Sequence, residues 1–249
     1  MEKMIYAIIA SDSNLNGLNV ILKGMHGIMG STLYTLSHSN ISIAVSDFNP
    51  SGSPLDKAVA LDFAGVIEHL SHSLTLLPVR FGTILESDEM ISRLLEQNYN
   101  AFVENLKNVE EKSEYGLKVV WDHEKEREKI RIRTEAEEVT AEDYFATSSI
   151  HTNYLLEKIK QHRFEDALLK YVEDLVEEIT QNLAQINPEC KFRKMGSRSI
   201  IIDAVFLIDN KKREEFISAV EKLQKTHGDL HFLLSGPWPP YSFTGISIS

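Results

Sequence analysis

The sequence predicts an α+β protein of two domains. Short β-prone runs gather at both ends of the chain, long helical patterns fill the middle, and the second half reads strand, helices, strand, strand, helix, strand. At 249 residues the chain is long enough for two cores at roughly 150 residues per domain. The expected division is an N-terminal α+β domain over residues 1–114 and a C-terminal domain over residues 115–249. The second is a modified ferredoxin-like βαββαβ unit, with helices on one face of a mostly antiparallel sheet and an expanded helical insertion over about 123–186.

Element by element, "MIYAIIA" (Met4 to Ala10) is a continuous apolar run and reads as an inner strand. Two alternating runs, Leu33 to Leu36 and Ile41 to Val45, flank Ser39-Asn40 and predict a hairpin. Ser53 as N-cap and Pro54 at the first helical position open a helix to His72. Its apolar residues (Leu55, Val59, Leu61, Phe63, Val66, Ile67, Leu70) wrap most of the circumference, so burial on all sides is expected. A second helix starts near Ser87, with Asp88 and Glu89 where the dipole favours acids and Ile91, Leu94, Leu95, Phe102 and Leu106 as its stripe. Gly116 interrupts before the strand "LKVVW", placing a boundary around Lys112 to Gly116.

The charge-dense stretch from Asp122 to Asp143 reads as helix, because opposite charges recur three and four apart among good helix formers. Ser149 to Ile186 continues as a long helical region with a break near His162. Its seam of Leu168, Val172, Leu175, Ile179, Leu183 and Ile186 suits packing along another helix of the same chain, which points to a monomer. Two strands around a turn at Gly196, an amphipathic helix carrying Phe216, Val220 and Leu223, and a last strand "LHFLLS" complete the order.

Charge and composition exclude several classes of function. Thirty-seven acidic against 26 basic side chains leave a formal charge of −11, which disfavours nucleic acid and anionic lipid surfaces as partners. One cysteine, Cys190, permits neither an intrachain disulfide nor a cysteine-based zinc site, which suits a cytoplasmic location. No run approaches the roughly 20 apolar residues of a membrane helix, and the start lacks a signal-peptide pattern.

Catalytic and cofactor patterns are equally sparse: no metal, cofactor or catalytic residue is expected. Glu68 and His72 stand four apart on one helix face, a spacing two ligands could share, but "EHLSH" lacks a third ligand and the zinc-protease order. The glycines of "GMHGIMG" lack the strand-to-helix context of a phosphate loop. An enzyme or ligand-binding protein with a cryptic site near Glu68, His72 and Arg80 stays as the alternative.

Two stretches stand out. In "LPVRFGTIL", Arg80 lies between Val79 and Phe81 inside an apolar run, where alternation turns it outward, Asp62 or Glu68 pairs with it, or a partner's carboxylate or carbonyls receive it. In "LLSGPWPPYSF", Pro237, Pro239 and Pro240 remove three backbone donors. The segment is therefore an edge, a turn or a stiff arm presenting Trp238, Tyr241 and Phe243, either to its own core or to a partner.

"LLPVRFGTI" and "GPWPPYSF", with the opening "MIYAI" strand and the strand-helix-strand close, resemble the gas vesicle protein F/L family over nearly the whole chain. The resemblance implies a non-enzymatic accessory protein of gas vesicle formation. It would be a minor component or assembly factor, contacting the small hydrophobic shell protein and other accessory proteins through Arg80, Phe81, Trp238, Pro239, Pro240, Tyr241 and Phe243.

Overall fold

The structure, a computed structural model, describes residues 1–11, 21–50, 55–142, 150–186, 188–194 and 197–245, and within 135–156 it describes the backbone alone. The expected cap at Ser53, the helix start at Pro54 and the turn at Gly196 lie outside these residues. Five α-helices and two sheets occur among the described residues. The chain divides into two compact units: one made of 1–115, 207–210 and the described part of 235–249, the other of 116–206 and 211–234.

The first unit is built on β1 (Glu2–Ala10), which lies between β3 (Ile41–Phe48) on one side and β4 (Leu76–Pro78) with β5 (Ile84–Leu85) on the other. β2 (Leu33–His38) pairs outside β3 and forms the sheet edge. All these pairings are antiparallel; Ile8 faces Ile43, and the β2–β3 hairpin turns at Ser39-Asn40, where Ser39 has φ 55. Met4 through Ile9 are buried on both faces, which is why the run is continuous rather than alternating. Pro78 is tolerated because β4 is short and flanks the sheet: the missing donor interrupts no inner ladder.

α1 (Lys57–Ser71) begins with Asp56 as its N-cap, the carboxylate accepting from Val59 N–H at 3.0 Å. Val59, Phe63, Val66, Ile67 and Leu70 enter the core. The expected all-round burial is corrected: Leu55 is 41% and Leu61 64% exposed. Leu55 precedes the helix, and Leu61 sits off the buried stripe on a face that is exposed. α2 (Asp88–Val109) starts at the Ser87 cap, and Ile91, Leu95, Phe102, Leu106 and Val109 are its buried stripe. The "GMHGIMG" loop is packed. Ile28 is buried and donates its N–H to Tyr6 Oη at 2.8 Å, and Gly27 leaves room for that hydroxyl where a Cβ would collide with it.

The second sheet has the order β7-β8-β6-β9, with β6 Lys112–Trp121, β7 Glu189–Phe192, β8 Ile200–Asp209 and β9 Leu230–Trp238. β6 continues straight through Gly116, which the sequence reads as an interruption. Bonds from Trp121 N–H to Ser199 O at 3.0 Å and from Asn210 N–H to Glu111 O at 2.8 Å set β6 and β8 antiparallel.

In the second unit, α3 (His123–Glu142) and α4 (Ile150–Ala184) follow β6, and α4 runs unbroken past His162. Leu175, Ile179, Leu183 and Ile186 of the seam are buried, with Phe216, Val220 and Leu223 of α5 (Arg213–Thr226). Glu126 is the unit's buried acid and is paired with Lys129 at 2.7 Å. Lys129 also reaches Asp229 at 2.9 Å.

Candidate functional site

The first stretch, and the second from Ser235 onward, fall in the first unit. The first is a turn. Val79 N–H donates to Tyr6 O at 2.9 Å, ending β4 against β1, and the chain then reverses: Thr83 N–H donates to Arg80 O at 3.1 Å, and Thr83 Oγ1 to the same carbonyl at 2.7 Å. Gly82 has φ +85, the left-handed conformation that the third position of such a turn requires and that a Cβ disfavours. Phe81 turns inward, edge to face with Phe63 at 5.2 Å, and Phe63 stacks on Tyr6 at 5.0 Å. The glycine and the aromatic fix the turn from within.

Arg80 is exposed, and among the described residues its side chain makes no hydrogen bond or ion pair, with Asp62 and Glu68 included. Of the readings the sequence leaves open, the outward one holds: Val79 and Phe81 go in while the turn puts Arg80 at the surface.

The second stretch is a strap that folds back on its own unit. β9 ends at Trp238, and Gly236 there has φ +117; a Cβ on it would come to 2.7 Å from Glu114 O. Tyr241–Phe243 then forms a 3-10 turn. Glu114, only 4% exposed, grips this turn with both carboxylate oxygens: Ser242 N–H donates to Oε2 at 2.6 Å and Ser242 Oγ to Oε1 at 2.8 Å. Charge-assisted bonds of this kind are about twice as strong as neutral ones. Pro239, Pro240 and Phe243 are buried, Phe243 to 2%.

Trp238 at 47% and Tyr241 at 42% are left facing solvent. The phenol end of Tyr241 is nevertheless desolvated, and that burial, helped by the charges of Glu68 and Glu114, pushes its pKa up to about 12. The picture of a free arm presenting all its aromatics is therefore corrected. Phe81, Pro239, Pro240 and Phe243 anchor the two segments, while Arg80, Trp238 and Tyr241 are displayed.

Glu114 is the residue that sequence reasoning missed. The signal was present: a lone carboxylate at the start of an apolar strand, "EYGLKVVW", needs a partner if it is buried. The alternative ligand site fares differently. His72 Nδ1–H donates to Glu68 O at 2.7 Å, closing the last turn of α1, so the ring serves its own helix end. Among the described residues no group of three or more His, Cys, Asp or Glu side chains comes together in a way that could hold a metal ion. No described helix is long and apolar enough to cross a membrane.

Comparison with known proteins adds the following. The family model described as gas vesicle synthesis protein GvpL/GvpF matches residues 3–245. The chain is 26% identical to gas vesicle protein L of Streptomyces sp. (strain CB03234), covering 92% of this chain and 89% of that protein. It is 23% identical to gas vesicle protein F1 of Halobacterium salinarum (strain ATCC 700922 / JCM 11081 / NRC-1), covering 90% and 87%. Two solved structures share the fold. The crystal structure of GvpF from Anabaena sp. PCC7120 matches with a TM-score of 0.82 at 18% identity over 99% of each chain. That of GvpF from Microcystis aeruginosa matches at 0.76 and 18% identity, over 98% of this chain and 99% of that one.

Proposed function

That this chain belongs to the gas vesicle synthesis protein GvpL/GvpF family is the premise from which we propose its work. It is a non-enzymatic accessory protein of gas vesicle formation that binds the hydrophobic shell protein, and other accessory proteins, during assembly in the cytoplasm. The gas vesicle association follows from the family; the binding role rests on one observation. A strap riveted by Glu114 holds Trp238 and Tyr241 half-exposed, while the Arg80 turn of the same unit leaves a guanidinium exposed, without a partner among the described residues.

The physical fit is direct. An apolar shell subunit aggregates through its dry faces and strand edges unless something covers them. Aromatic side chains on a prefixed backbone cover apolar area at little entropic cost, and Trp, Tyr and Arg are the residues that most often dominate binding energy. Arg80 can donate to a carboxylate or to unpaired carbonyls. The −11 charge keeps the loaded complex in solution. The accessory protein itself is monomeric.

Two architectural readings belong with this proposal. The strand order β9-β6-β8-β7, with helices between β6 and β7 and between β8 and β9, supports a ferredoxin-like second domain expanded by α3 and α4. The division near residues 114 and 115 is the corresponding domain boundary.

Pull-down of the shell protein tests the reading. Trp238→Ala with Tyr241→Ala should strongly reduce capture while the variant keeps the parent melting temperature. Undiminished capture by the folded variant would remove the strap from the interface.

A further inference from the structure

The outward face of α1 carries Ala58, Leu61, Gly65 and Glu68, all exposed. Steps of three and four residues keep them on one stripe. From Ala58 to Glu68 this stripe is about 15 Å long at a helical rise of about 1.5 Å per residue, and Leu55 lies just ahead of the helix. Its two ends differ in charge. At the N-terminal end Leu55 Cδ1 lies 3.8 Å from where a Cβ on Gly82 would sit, so the turn that bears Arg80 stands beside that end. At the C-terminal end, Glu68 lies close enough to Tyr241 for its charge to act on the phenol. Between the ends Leu61 is 64% exposed, and a Cβ on Gly65 would have nothing within 4 Å.

We infer that this face docks one amphipathic helix of another gas vesicle component, in contact over about three turns, apolar along its contact stripe, with a carboxylate at the end over Arg80 and a Lys or Arg at the end over Glu68. This rests on the reading above that the chain binds other vesicle components, and adds the shape and charge of the segment it takes. A helix fits because side-chain ridges on α1 receive the grooves of another helix, whereas α1 offers a strand no free backbone edge. Gly65 lets the two backbones approach closely. The opposite charges at the two ends set which partner end lies where, and reject a helix with the same charge at both ends.

The test uses the full chain and three labelled synthetic helical peptides of about 18 residues, sharing one Leu/Ala stripe. One has Glu at one end and Lys at the other, one has Lys at both, and one has Glu at both. Fluorescence anisotropy should rank the mixed peptide first for the parent chain, by about tenfold over either uniform peptide. For Arg80→Glu the Lys-ended peptide should become the preferred one, and for Glu68→Lys the Glu-ended peptide. Differences in the peptides' own helicity are common to all three proteins, so an exchange of rank reads the surface. Leu61→Glu should abolish binding of every peptide without moving the melting temperature.

The inference falls if no peptide binds, if all three proteins rank the peptides by net charge alone, or if the parent chain dimerises through this face and Leu61→Glu dissolves the dimer. Failure here with shell-protein capture intact leaves the proposed function standing. Ranked peptide binding without any shell-protein capture overturns the proposed function alone.

Discussion

In the Arg80–Thr83 turn, the anchor and the bonds that shape it belong to four neighbouring residues; in the C-terminal strap, Ser242 is held by a carboxylate 128 positions away. Both segments drive one aromatic inward, Phe81 or Phe243, and leave other side chains exposed, Arg80 in the turn and Trp238 and Tyr241 in the strap. The turn is shaped by Gly82 and its own hydrogen bonds and tied to β1 by Ile5 N–H donating to Thr83 O at 3.0 Å, so it forms where β4 and β1 pair. The strap closes a long loop and depends on Glu114 being buried and correctly met, so it carries a larger share of the unit's cooperativity.

The largest expected effect separates the two anchors. Phe243→Ala should cost about 3–5 kcal/mol in chemical denaturation, the range for deleting a fully buried aromatic. Phe81→Ala should cost clearly less, because the ring is only partly buried. Equal losses would mean the strap is no more deeply seated than the turn.

Next comes the rivet. Glu114→Ala strands the Ser242 N–H and hydroxyl and should cost about 2–3 kcal/mol. The solvent exposure of Trp238, read by fluorescence quenching, should rise in the same variant. A loss of stability with unchanged quenching would place the effect elsewhere in the unit.

Gly82→Ala should cost about 1–2 kcal/mol, from forcing a Cβ into the left-handed region. It should leave Trp238 quenching untouched, since the turn is local. The smallest effect is a titration. Tyr241, raised from its ordinary 10.0 to about 12, favours the folded state's neutral phenol. Ionising the phenol therefore opposes strap docking: the strap keeps its full stability below pH 10 and loses some as pH rises through about 12. A spectrophotometric titration in which Tyr241 ionises near 10 would show the phenol to be fully hydrated.

The same local-versus-distant contrast explains what was legible in the sequence. The β2–β3 hairpin, the Ser87 cap, the helical nature of the charged stretch and the α4 seam could be read because each is written in residues a few positions apart. The inward Phe81 and outward Arg80 follow period-two alternation, but three residues before a turn are too short a run to separate that reading from an ion pair with Asp62 or Glu68. Leu61 was misjudged because helix periodicity says which residues share a face, but not which faces find a partner. The N-cap moved to Asp56, a choice set by where the chain enters the core. Glu114 escaped because nothing near it in the chain announces Ser242.

Binding of the shell protein, measured as affinity and melting temperature together for the parent chain and for Trp238→Ala with Tyr241→Ala, tests the account most directly. The account expects affinity to drop at least about tenfold, as for loss of a central aromatic pair, while the melting temperature stays with the parent. Unchanged affinity, or affinity and melting temperature falling together, would mean the two aromatics serve the protein's own fold rather than its partner.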